Sequence, residues 1–352
     1  MPAPSPALPD LLQKVSRSFG LSIRLLPAAL REPVGAAYLL ARISDTVADC
    51  AKAPVAQRLA LLDQLARGWQ ETAAGPADLA RALADLAAQL DDPHERALMA
   101  QAPACLQALA QQSPQDQRLI REVLAAITEG QRWDLTALDA TGKGVHSEQE
   151  VERYTWWVAG SVGEFWTRLC EAHLSHWHRA HSADMLQWAA HYGQGLQRLN
   201  ILRDAGRDLR AGRCYFPTES LAPLGLDATT LCAAARAEDL ETLSRLAPLL
   251  QAWQHQTESD LHDGLRYSLA LRGHRLRLAS ALPGLIGVRT LALLRQAGVQ
   301  ALVHHQKLPR RALHRLLWAL VLGGVSDRQL QSSWGPGLGA TGSSPLSARI
   351  GP

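Results

Sequence analysis

Apolar positions recur every three or four residues through one segment after another, which is the spacing of helices that each bury one face. The pattern predicts helices over 10–30, stopping near Pro27, and over 31–50, with Pro33 tolerated in the first turn. Further helices are expected over 55–70, 77–90, 93–110 and 114–130, the last running into ITEGQRWDL. The segment ETAAGP from Glu71 reads as a turn, and DATGKGVHS from Asp139 as a loop. Helical spacing resumes over 148–169, passes through QRLNILRDAGRDLR to a C-terminal cap at Gly212, and continues over 228–250 and 253–273. Abundant Ala and Leu beside only 3 Phe and 5 Tyr favour helix over sheet, so the expected class is all-α.

Composition narrows the function classes. The net charge of +3, from 36 basic and 33 acidic residues, makes no case for nucleic-acid binding. Five scattered cysteines without a CxxC pair fit unpaired thiols in a reducing compartment. MPAPSPALPDLLQKV lacks the basic and apolar regions of a signal peptide. The apolar runs ASALPGLIGV and LLWALVLGGV are each about half of the roughly 20 residues that span a bilayer, and read as buried helix. The histidines of HLSHWHRAHSA follow no metal-ligand spacing and are expected at the surface.

Two acidic pairs carry the chemistry. Asp204 and Asp208 stand four apart on a helical segment, so their carboxylates share one face about 6 Å apart. Asp45 and Asp49 repeat the spacing in ARISDTVADC, on a polar stripe with Tyr38 and Arg42 that cuts through an apolar helix. Facing each other across a cavity, the pairs would suit Mg2+ held by carboxylates and substrate phosphates, with Arg42 and Arg203 as forked donors to a diphosphate. No GxxxxGK[ST] loop is present for a P-loop hydrolase, and a di-iron bundle would need Glu and ExxH motifs. In YTWWVAGSVG, Gly160 and Gly163 interrupt an aromatic helix at about 1 kcal/mol each. They imply either tight helix packing or a cavity wall whose aromatic faces could stabilise a carbocation.

These motifs, in this order, resemble the squalene/phytoene synthase family, with squalene synthases as the nearest pattern. The likeness runs from about Ser16 to Leu294 through SRSF, YLLARISDTVAD, YTWWVAGSVG, QRLNILRDAGRD and GRCYFP. It implies a single-domain, all-helical isoprenoid synthase fold around a central cavity over residues 10–330, with a flexible lead at 1–9 and a flexible tail at 331–352. The implied reaction is Mg2+-dependent head-to-head joining of two farnesyl diphosphates through presqualene diphosphate, with NADPH reduction to squalene. Asp45, Asp49, Asp204 and Asp208 are the implied metal ligands and Tyr154 the catalytic tyrosine. Ser16, Ser18, Phe19, Tyr38, Arg42, Gln197, Asn200, Arg203, Arg207, Arg213 and Tyr215 are the implied substrate contacts. QKLPRR is similar to the basic stretch that helps hold NADPH, which marks Lys307, Arg310 and Arg311. Arg207 stands where the second motif usually has Glu, as in the hydroxysqualene-forming branch. Phytoene or dehydrosqualene synthesis, a single half-reaction, and an inactive prenyl-diphosphate-binding relative stay open, as does the choice between C15 and C20 substrates. A cytoplasmic monomer with peripheral contact at the inner membrane is expected.

Overall fold

The computed structural model describes Leu12, Ile23 and residues 26–70, 77–138, 144–309, 311–313, 315–316 and 325–335. The fold is all-α, with no strand among the described residues; an isolated antiparallel bridge joins His178 to Leu271.

Helix α1 (Ala28–Asp49) starts directly after Pro27, a turn earlier than the sequence pattern suggests. Pro33 therefore lies inside the helix, where its missing N–H forgoes one backbone bond. Leu30, Val34, Ala37, Leu40, Ile43, Ser44 and Val47 are buried at helical spacing, which fixes how α1 is rolled against its neighbours.

Next come α2 (Val55–Gln70), α3 (Ala77–Ala87), α4 (Pro93–Ala100) and α5 (Ala102–Ala110). The single helix expected over 93–110 breaks at Gln101, because Pro103 has no N–H to offer the carbonyl one turn back. Helix α6 (Pro114–Ala137) is capped by Ser113, whose hydroxyl oxygen accepts from the Asp116 N–H at 3.1 Å.

A continuous helical rod then forms from α7 (Glu148–Thr155), a π turn over Trp156–Gly160 and α8 (Ser161–His173). Helix α9 (Ser182–Arg210) follows, and its buried residues lie on several sides rather than one. The remaining elements are α10 (Thr218–Leu221), α11 (Ala228–Ala237), α12 (Leu240–Ser244), α13 (Ala247–Ala270), α14 (His274–Ala297) and α15 (Asp327–Trp334). The helix expected over 228–250 is interrupted at Glu238, whose φ of 53° is left-handed, and Asp239 caps α12.

Small residues let α9 lie against the rod at backbone distance. A Cβ on Gly163 would sit 2.1 Å from the Ala189 carbonyl oxygen, and one on Gly193 would sit 2.2 Å from that of Ala159. Tight packing is thus the first role of the glycines in YTWWVAGSVG, and Ala159, Gly163 and Gly193 also line the cavity beyond. On its other side α9 is tied to α13 by an ion pair between Arg198 and Asp260, both only 5% exposed.

Two apolar clusters make the core. One is built mainly on α1 to α6 with α8, the other on α9 and the helices that follow it. A cavity of about 800 Å3 has walls from both.

Two groups differ from the sequence reading. His173 is no free surface histidine: its Nε2 lies 2.8 Å from Oδ1 of the buried Asp116. Arg277, which in sequence could face either solvent or a phosphate, is turned inward. It is buried, donating to the carbonyls of Leu271, Val325 and Leu269 and to Asp327. By length and composition the stretch His274–Leu302 is apolar enough to cross a bilayer, and half of its most apolar window is buried within the protein.

Candidate functional site

Tyr38, Ala41, Arg42, Asp45, Ala48 and Asp49 follow the i, i+3, i+4, i+7 spacing of a single face of α1, so that face delivers all six to the cavity. The opposite walls are largely apolar and aromatic, with Val123, Ile127, Phe165, Trp166, Leu196 and Tyr267 among them. Gln131 and Asp134 enter from α6, Tyr154 from α7 and Gln197 from α9.

The α1 pair is short of positive charge. Asp45 is held up to about 6, first by burial and then by Asp49, against the pull of Arg42 and a hydrogen bond from Gln131 Nε2 at 2.6 Å. Its side chain lies deep in the molecule yet keeps 45% of its surface open. Burial also raises Asp49, with Asp134 as its strongest like-charged neighbour. Arg42, 3.9 Å from Asp45, is drawn away to Glu95 of α4 at 2.7 Å.

The α9 pair lies beyond the cavity lining and is better compensated. Burial raises Asp204, but Arg203 and Arg207 outweigh it and leave the carboxyl low. Arg203 donates to both Asp204 oxygens, at 2.7 Å and 3.3 Å. The Arg207 guanidinium reaches 3.5 Å from Asp204 and 3.8 Å from Asp208, and His305 Nδ1 lies 3.9 Å from Asp204. Asp208 is raised, burial leading, with Arg213 and Arg207 opposing and Asp204 and Asp134 assisting. Asn200 donates to Gln197 at 3.4 Å.

What joins the two pairs is Asp134 with Arg213. Both Asp49 and Asp208 feel this carboxylate and this guanidinium. Arg213 reaches them because α9 ends in a Schellman motif: the Gly212 N–H bonds Leu209 O and the Arg213 N–H bonds Asp208 O, with Gly212 at φ 85°. That turn aims Arg213 at Asp134, 2.6 Å away, and at the Tyr215 hydroxyl, 2.7 Å away. Tyr215 donates to Asp134 at 2.5 Å and stacks on Tyr154 with ring centroids 5.7 Å apart. Trp133 covers Tyr154 at 4.8 Å. The Tyr154 hydroxyl is within hydrogen-bonding reach of the Tyr215 and Gln197 side chains, and burial pushes its phenol well above the ordinary range.

The donor set fits a hard divalent cation. Buried carboxylate oxygens in deficit of positive charge are what such an ion relieves. Among the described residues no three ligating side chains stand together. A cation here would therefore take one or two carboxylates and complete its shell from water or phosphate oxygens.

Lys307 and Arg311 are exposed and outside the cavity lining. Ser16, Ser18, Phe19 and Arg310 lie outside the described residues. Sequence reading missed Glu95, Gln131 and Asp134. The last two were findable, since Thr128, Gln131 and Asp134 form a polar stripe at steps of three in the second half of a helix whose neighbouring buried positions are mostly apolar.

Comparison with known proteins bears on the family and the fold. The family model described as squalene/phytoene synthase matches residues 12–317. The phytoene synthase of Rhodobacter capsulatus is 29% identical over 223 residues, covering 62% of this chain and 53% of that protein. The squalene synthase of Schizosaccharomyces pombe is 26% identical over 291 residues, covering 80% and 58%. The chain thus spans just over half the length of these curated relatives. The solved structure of TcSQS with the ligand E5700 superposes with a TM-score of 0.75 at 23% identity, over 94% of this chain and 88% of that one, a likeness of fold. From the match over 12–317, the chain belongs to the squalene/phytoene synthase family.

Proposed function

We propose that this protein is a Mg2+-dependent prenyltransferase that joins two farnesyl diphosphates head to head, through presqualene diphosphate, and forms squalene with NADPH as reductant. The observation that carries the reading is one apolar cavity that meets two acidic pairs through Asp134 and Arg213. An allylic diphosphate has the matching halves: a chain for the apolar walls and a polyanion for the charged end.

Asp45, Asp49, Asp204 and Asp208 would hold Mg2+, which when bound neutralises charge on the departing diphosphate. Arg42, Arg203, Arg207 and Arg213 supply forked donors to its oxygens. Tyr38, Gln197 and Asn200 offer polar contacts at the same end. The apolar walls keep water from the allylic cation, and the faces of Tyr154, Phe165 and Trp166 attract it. Lys307 and Arg311 are exposed cations that could meet NADPH phosphates, and no step is assigned to them.

Arg207 favours a second reading. Its guanidinium contacts both α9 carboxylates, at 3.5 Å and 3.8 Å, and so competes with a cation there. A weaker metal position would suit an enzyme that condenses without the reductive step, giving hydroxysqualene, dehydrosqualene or, from C20 substrates, phytoene. We place the enzyme in the cytoplasm as a monomer in loose contact with a membrane surface, which gel filtration and vesicle co-sedimentation test.

The deciding assay incubates purified protein with Mg2+ and farnesyl diphosphate, with and without NADPH, and analyses neutral lipid and presqualene diphosphate. Squalene formed only with NADPH supports the first reading. Hydroxysqualene or presqualene diphosphate regardless of NADPH supports the second. No product from farnesyl, geranylgeranyl or presqualene diphosphate refutes both and leaves a binding protein.

A further inference from the structure

Joining two allylic diphosphates through a cyclopropyl intermediate expels one diphosphate and one proton. The carbon that loses the proton lies in the apolar cavity, so a route out must be built into its wall. Several hydroxyls line that wall, and Tyr154 is the one stacked on Tyr215 at the charged end, but it is a poor terminal base. Burial raises its phenol, so an isolated phenolate there is costly, and a phenol oxygen that accepts a proton must release its own at once.

Donor bookkeeping shows where that proton goes. Gln197 Oε1 is taken by Asn200, which turns the Gln197 amide N–H toward Tyr154 as a donor. The single Tyr215 hydroxyl proton is committed to Asp134 Oδ1 at 2.5 Å. The Tyr215 oxygen already accepts from Arg213 at 2.7 Å, its ring stacks on Tyr154 with centroids 5.7 Å apart, and its remaining lone pair is the acceptor open to the Tyr154 hydroxyl within hydrogen-bonding reach. All hydroxyls then point one way, from the cavity wall to the carboxylate.

We propose that Tyr154, Tyr215 and Asp134 form a proton relay that drains the condensation step, with Asp134 as its terminal acceptor. The proposal rests on the prenyltransferase reading. In the step, the substrate C–H bond breaks and its electron pair closes the cyclopropane ring. The proton forms a bond to the Tyr154 oxygen, the Tyr154 proton passes to the Tyr215 oxygen, and the Tyr215 proton passes to Asp134. The cation is discharged and the Asp134 carboxylate becomes a neutral acid, so charge and atoms balance. Arg213, bonded to both Tyr215 and Asp134, holds the wire in register throughout. Tyr215 and Asp134 are positioning residues here, since they act through Tyr154.

The test uses Tyr215→Phe, which keeps the ring stacked on Tyr154 and removes only the hydroxyl, and Asp134→Asn as a second variant. With Mg2+ and farnesyl diphosphate, diphosphate release is measured beside condensed product and farnesol. A broken relay leaves ionisation running while the cation waits and is captured by adventitious water. Both variants should therefore lose on the order of 10²-fold in kcat for condensation, with KM little changed. They should also release diphosphate in excess of condensed product. A defect of folding alone would lower release and condensation together, and that result overturns the relay. So does a Tyr215→Phe kcat for condensation within threefold of wild type, whatever Asp134→Asn does. Absence of condensation by the wild-type protein overturns the prenyltransferase reading and the relay with it.

Discussion

The ion pair between Arg198 and Asp260 fixes how the helix bearing Asp204 and Asp208 sits on α13, and its removal has a calculable signature. Both side chains are nearly sealed, at 6% and 7% exposure. Burial raises the Asp260 carboxyl although Arg198 and Gln256 oppose it, so desolvation already outweighs attraction in the intact pair. Arg198→Met keeps the volume and strands the carboxylate. Breaking one side of a buried pair costs about 3–5 kcal/mol.

The sign of the pH dependence follows from the direction of the shift. A carboxyl with a higher pKa folded than unfolded binds more protons in the folded state, so stability falls as pH rises from the unfolded value through the folded one. Losing Arg198 widens that window, because its pull downward is gone. Urea unfolding of Arg198→Met should therefore show the full loss near pH 8 and a partial recovery toward pH 5. The double variant Arg198→Met with Asp260→Leu should regain most of the stability and lose this pH dependence. A single-variant loss under about 1 kcal/mol, or an equal loss at both pH values, would refute the reasoning.

Other outcomes are expected. Asp45→Asn should abolish turnover while stabilising the metal-free protein by on the order of 1 kcal/mol near pH 7.5, a figure reduced for its open surface; a destabilised variant in urea would count against it. Gly163→Ala forces a Cβ to 2.1 Å from the Ala189 oxygen, so about 1–3 kcal/mol of stability and most turnover should go; unchanged melting and activity would remove the close contact from the account. Arg207→Gln, at a side chain 68% exposed, should shift stability by no more than about 0.5 kcal/mol while raising the KM for farnesyl diphosphate, and an unchanged KM would free Arg207 of any substrate role. Chelation with EDTA should stop turnover and Mg2+ restore it, whereas full activity in EDTA would discard the metal reading.

How far the sequence is legible depends on the kind of signal. The α1 and α9 stripes can be read because a carboxylate every fourth residue inside an apolar helix has no bland packing explanation. Helix ends are less visible. The break at Gln101 depends on one proline, and the break at Glu238 on a left-handed residue that no composition announces. The histidine near Asp116 and the buried Arg277 look like surface groups in one dimension, since their partners lie 57 and 50 residues away. Asp134 escapes attention for a related reason: it has no acidic neighbour four residues off, and only the Schellman turn after α9 makes it a partner of Arg213.

The π turn at Trp156–Gly160 changes what the chain can tolerate there. Tyr154 and Gly163 are nine residues apart, which in a regular helix is about 900°, placing them on opposite sides. A π turn absorbs one surplus residue, so the effective rotation is nearer 800° and both come round to the same cavity. Relaxing this turn to an ordinary helix with every residue kept would swing the tyrosine or the glycine contact away by about 100°. Deleting one residue here would instead leave eight regular steps, about 800°, and keep both on the cavity side. The surplus residue and the π turn therefore offset each other, and losing the π turn alone is what would break the wall.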